Sequence, residues 1–299
     1  MALRTQIISR AFLAFIDMKR EPGESSAGKA IGDRNCNDAA SGSFQMSIGN
    51  FPVLFFALCF FALWLSAETG TYFHRRWPGM DDAEREDLGL ILGAALTLLG
   101  LIIGFTFSMA VSRYDLRKNY EEAEANAIGT EYLRAELLPS DDAARVRDLL
   151  RNYVDQRILF YTTRDPSQLE TINSSTARLQ RDLWSAVKTP AVAQPTAVAA
   201  LAVSGMNDVL NSQGYTQAAW WNRIPTGAWI LLVAIGVCCN VLFGYHARRL
   251  QGKDIRFFIL PLIVAVSFFL IADLDSPHGG LIRVIPQNLV SLAGSIHAK

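Results

Sequence analysis

Between residues 88 and 112 the chain reads LGLILGAALTLLGLIIGFTFSMAVS, twenty-five residues without a charge. As a helix rising 1.5 Å per residue this is about 37 Å long, enough to cross the roughly 30 Å hydrocarbon core of a bilayer. A helix covering a water-soluble core needs apolar residues on one stripe only. The small or hydroxylated positions Gly89, Gly93, Thr97, Gly100, Gly104 and Ser108 are spaced four, four, three, four and four apart. At about 100° per residue they share roughly one quarter of the circumference. In lipid such a stripe lets another helix, or a narrow pathway, come close to the backbone. The protein's activity is therefore expected in the membrane.

Three further apolar runs occupy residues 48–67, 227–245 and 257–272. The first two reach the length of about 20 residues that a spanning helix needs. The last has 16, with Pro261 near its start, and calls for tilt or a locally thinned bilayer. Tyr72, Phe73 and Trp77 follow the first span, and Trp220, Trp221 and Trp229 bracket the start of the third, positions that read as anchors at the headgroup level. The 28 basic and 28 acidic side chains cancel, so the basic surplus that nucleic-acid binding requires is missing. Of the four cysteines, Cys59, Cys238 and Cys239 fall within apolar runs and Cys36 lies apart, in no metal-ligand spacing. The histidines, His74, His246, His278 and His297, are scattered at span borders and near the C-terminus.

Residues 1–45 differ from the rest. After a short apolar patch they run through EPGESSAGKAIGDRNCNDAASGS, which cannot bury enough apolar surface to fold alone. The patch is too short and interrupted for a signal peptide. Met46 opens MSIGNFPVLFFALCFF and is the expected start, with residues 1–45 a disordered or mis-assigned extension.

Residues 46–112 then hold spans 1 and 2, residues 113–223 an extramembrane domain, residues 224–275 spans 3 and 4, and residues 276–299 a tail. Between residues 113 and 138 there is no proline, so the second span continues as one long helix to Leu138, with a bend expected at Gly129. Further helices are expected over residues 141–163, 167–188 and 196–213, the break before the last marked by Pro190 and Pro195. Strand patterns are absent. The fold class is all-α: a four-span integral membrane protein with a helical domain inserted between spans 2 and 3. On the long helix Asn126, Thr130 and Arg134 recur every four residues beside Ala123 and Ala127, as a buried helix contact or the wall of an aqueous vestibule. Lys118, Glu121 and Glu122 read as a solvated face.

TLLGLIIGFTFSMAVSRYD followed by EANAIGTEYLRAELLP, then RNYVDQRI, MNDVL, NRIP and finally DLDSPHGGLIRV resemble the bacterial bestrophin-like membrane family. The resemblance covers most of residues 46–292. Through the shared four-span plan it implies a homo-oligomeric anion channel, pentameric in true bestrophins, whose second helix lines a narrow neck. It also implies inorganic anions as permeants and a cytoplasmic helical domain in the bacterial inner membrane. Where the family pattern shows an acidic residue and then an arginine, this chain has Asn211 and Thr216 by spacing.

If the second helix lines a pore, Leu96, Ile103 and Phe107 form the hydrophobic constriction, since rings of apolar side chains gate by dewetting. The small-residue stripe beside them is then the lumen side or a packing face, and packing is the safer assignment. Arg113, Arg117 and Lys118 at one mouth would favour anions if they face a lumen. Asp273 and Asp275, followed by Gly279, stand where true bestrophins carry an acidic calcium-binding segment. A calcium loop needs six or more oxygens; as helix caps, or as partners of Arg283 or His278, the two aspartates need no metal, and no other cofactor is suggested. Arg75, Arg76, Arg85, Arg248, Arg249, Lys253 and Arg256 would place the opposite loops in the cytoplasm, against the family likeness. No GxSxG, HExxH or phosphate-binding glycine loop is present, so catalysis is not expected. The alternative to a channel is a nonconducting, lipid-embedded assembly protein acting through its helical domain.

Overall fold

The computed structural model of the protein describes residues 52–76, 81–247 and 254–298. The expected start at Met46, the extension before it and Trp77 lie outside the described residues. Helices α1 (Pro52–Arg76), α2 (Asp82–Arg134), α3 (Ser140–Thr162), α4 (Pro166–Ala193), α5 (Ala197–Trp221), α6 (Thr226–His246), α7 (Ile259–Asp275) and α8 (Gln287–His297) follow one another, with 3-10 turns at Ala135–Leu137 and Ile255–Phe258. No strand occurs among the described residues. Four helical stretches are long and apolar enough to cross a membrane. The all-α, four-span reading therefore holds.

The chain forms two compact units. The membrane unit takes the described residues up to Phe107 together with Ile224–Ala272, and the helical unit takes Ser108–Arg223 with the described part of Asp273–Lys299. In the membrane unit α1 and α6 approach at backbone distance. A Cβ on Gly244 would collide with the carbonyl oxygen of Ala67, and one on Gly70 with that of Val241. Small-residue contact of the kind that packs helices in lipid is thus made here. Trp64 and Phe60 stack on Phe258, and Phe56 meets Phe269 edge-on. Trp229 is buried inside this unit, a correction to its reading as a headgroup anchor.

In the helical unit Ile128 and Tyr132 of α2, Leu150 and Tyr153 of α3, Leu183 and Val187 of α4, and Met206 and Val209 of α5 build one core. The Asp165 side chain accepts from the Ser167 N–H with Pro166 in the first turn of α4, and the Thr196 hydroxyl accepts from the Ala199 N–H at the start of α5. Two helices outrun their expected ends. α4 passes through Pro190 to Ala193 because the proline falls in the last turn, and the Gln194 N–H still bonds the Pro190 carbonyl. α5 continues through Gly214 to Trp221. The segment expected as a tail carries α8, which buries Leu289, Ala293 and Ile296 in this same core. Trp220 is also core, packed on Phe160 and Tyr161, so of the three tryptophans near span 3 Trp221 alone is exposed. α2 is helical throughout at Gly129, where the missing side chain admits Leu292 of α8.

Candidate functional site

α2 has two faces. Its buried seam runs through Leu92, Leu99, Thr106, Ala110, Arg117, Glu121, Glu124, Ile128, Glu131 and Ala135, steps of seven, or of four and three. This is the heptad spacing of a helix held along one side.

The opposite side of the apolar stretch is open within the chain. No described residue lies within 4 Å of where a Cβ would stand on Gly93, Gly100 or Gly104, and Thr97 and Ser108 are exposed. Gly89 is half-buried, beside His246. Leu96 and Ile103 are half-buried and Phe107 is exposed. The hydroxyls of Thr97 and Thr106 donate to the carbonyls of Gly93 and Ile102, so neither carries an unmet donor toward the lipid or a lumen. Asn126 and Thr130 are exposed in the single chain, and Arg134 is half-buried and 3.9 Å from Asp208. Lys118 and Glu122 are solvated as expected, but Glu121 is buried: its carboxylate accepts from the Leu289 N–H at 2.9 Å and the Asn288 amide at 2.7 Å. It caps the N-terminus of α8, where negative charge suits the exposed N–H groups.

Behind that seam lies a polar core. The Arg157 guanidinium grips Glu124 through Nε to Oε1 and through Nη2 to Oε2. Tyr161 at 3.4 Å and Thr216 at 3.1 Å both donate to the same Oε2. Arg157 and Glu124 are fully buried, and the guanidinium lies 4.4 Å over the Phe160 ring. Burial works against the Arg157 charge, and the adjoining carboxylate outweighs it, so the guanidinium is held above its ordinary value. Thr216, singled out as a departure from the family pattern, is therefore part of this network. Glu131 is also fully buried, and among the described residues no hydrogen-bond donor reaches its carboxyl oxygens. It packs on Gly205, where a Cβ would strike its Oε2.

The segment after α7 is held by its own aspartates. Asp273 accepts from the N–H groups of Leu281 at 2.7 Å and Ile282 at 2.8 Å, and Asp275 stands 3.6 Å from Arg113. No cluster of three metal-binding side chains occurs among the described residues. With both Asp273 oxygens taken by backbone, the pair does not fit the many-oxygen calcium shell. Arg113 and Arg117 are drawn inward: Arg117 donates to the Leu274 carbonyl and is buried.

His278 stacks on Trp220 at 4.3 Å and meets Phe160 edge-on. Burial depresses its imidazole to about 4, opposed by a hydrogen bond with the Thr163 backbone and reinforced by Arg223, Arg117 and Arg283. Its ordinary value is 6.5, so the neutral ring's contribution is complete above that pH. As pH falls toward 4 the unfolded chain takes a proton that the folded one refuses, and stability drops by at most about 3 kcal/mol. Chemical denaturation at pH 7.5 and 4.5 is expected to show a larger loss for the wild type than for His278→Gln; equal losses would contradict this.

The Bestrophin-like domain model matches residues 59–289. The fold is similar to that of a bacterial Bestrophin homolog from Klebsiella pneumoniae carrying a point substitution, with TM-score 0.54 and 16% identity over 81% of this chain and 96% of that one. A crystal structure of that homolog phased on zinc gives TM-score 0.52 and 15% identity over 81% and 98%. No curated protein matches the chain.

Proposed function

The chain belongs to the bestrophin-like family, and from that premise we propose that copies of it assemble in the bacterial inner membrane into an ion channel favouring anions, with α2 lining the pore. The observation that carries this reading is how little of its own chain covers α2. Its most apolar window is 11% buried, against 28%, 33% and 44% in the other three candidate spans. A helix left bare in this way needs other copies of the chain, a lumen or lipid around it.

Leu96, Ile103 and Phe107 supply the apolar rings of the neck, and the bare glycine line supplies close approach between copies or the lumen wall. No charge interrupts residues 88–112, so the neck is lined by apolar and small side chains alone. The helical unit lies on the cytoplasmic side. Halide influx into proteoliposomes holding the full chain, above that of protein-free vesicles, is the expected result. Silence from protein shown to be folded and oligomeric would favour a nonconducting assembly.

A further inference from the structure

Arg117 is a buried cation that the chain only partly answers. The residue is 2% exposed. Its Nη1 donates to the Leu274 carbonyl at 3.2 Å, while Nε and Nη2, both buried, reach no acceptor among the described residues. The charges around it do not balance it. Among the described residues Arg113 and Arg223 stand close enough to repel it and Asp275 close enough to attract it, and Asp275 is also 3.6 Å from Arg113. Asp273, the other acid of that segment, spends both oxygens on the N–H groups of Leu281 and Ile282.

Buried charge is retained where a partner of opposite sign and matched hydrogen bonds are available. The donors left over are informative in their arrangement. Nε and Nη2 form one edge of the planar guanidinium and present two parallel N–H groups, the fork that meets two oxygens of a single oxyanion. Chloride, a single sphere, meets both N–H groups only at an angle, whereas two oxygens of one oxyanion take each of them head-on.

We propose that the helical unit binds a small oxyanion of the nitrate, bicarbonate or carboxylate kind on the Nε and Nη2 edge of Arg117. The site belongs to the helical unit and is independent of whether α2 conducts.

Titration calorimetry of the full chain in detergent with nitrate, at ionic strength held constant with chloride, tests it. The wild type is expected to bind nitrate saturably at one per chain. Arg117→Met, which keeps the volume and removes the charge, is expected to lose at least tenfold in affinity. Arg117→Lys, which keeps the charge without the paired edge, is expected to fall between them. Should Arg117→Met fail to fold, the lysine variant against wild type decides. Absence of saturable nitrate binding to the wild type, or affinity unchanged in the variants, overturns the proposal. Because no flux is read, failure of the channel reading leaves this result standing, and the reverse holds as well.

Discussion

Arg157→Met is expected to destabilise the helical unit by about 3–5 kcal/mol, because it strands a buried carboxylate. Glu124 lies on the closed seam of α2 with no water to replace the guanidinium, and the hydroxyls of Tyr161 and Thr216 both reach Oε2 only. Glu124→Leu is expected to cost a similar amount by stranding Arg157. The double variant Glu124→Leu with Arg157→Met is expected to recover most of the loss, since an apolar pair of matching volume has no charge to desolvate. Denaturant unfolding of the full chain, followed by helical signal, measures all three. A double variant as unstable as the sum of the singles would show that the pair is not one coupled unit.

Gly244→Ala is expected to be the most damaging single methyl in the membrane unit. The new Cβ would overlap the Ala67 carbonyl oxygen, which is backbone and cannot swing aside. α1 and α6 must then separate along their length, and a loss of about 1–3 kcal/mol or more is expected from overpacking alone. Gly227→Ala is the control, because no described residue lies within 4 Å of its Cβ position and alanine is the better helix former. Thermal unfolding in detergent is expected to fall for the first and to hold for the second. Equal effects would mean that α1 and α6 do not pack as described.

These contrasts show what the residues disclosed and what they concealed. The spans were legible because an uncharged run of twenty-five residues has few physical outlets. The helical domain was legible from periodicity, and its ends were misplaced where Pro190 fell in a last turn and Gly214 in a mid-helix position that tolerated it. The small-residue signal was read on α2, where the line of glycines is most regular, yet within the chain the close packing is between α1 and α6, at Gly70 and Gly244. A glycine line marks a possible approach without naming the partner.

Charges on a polar helix read as solvated, which is why Glu121 reads as part of an exposed face and Glu124 and Arg157 carry no local mark of burial. A signal was present: Arg117, Glu121, Glu124 and Glu131 fall in heptad register with Ala110 and Ile128, on the buried side of α2. Charge on an apolar register implies a partner across the core, and that partner, on α3 more than thirty residues away, is not set by local spacing. The same applies to Trp220, Trp229 and the acids after α7, whose surroundings come from distant segments.

The account rests on α2 forming the neck of a pore, and the influx of halide into proteoliposomes bearing Phe107→Ala, set beside the wild type, addresses that directly. Phe107 is exposed in the single chain, so its truncation leaves the fold intact while widening an apolar ring between copies. The predicted result is a several-fold faster initial influx in the variant at equal protein loading and unchanged oligomeric state. Identical rates, or silence from both proteins when folded and assembled, would contradict the placement of the neck on α2.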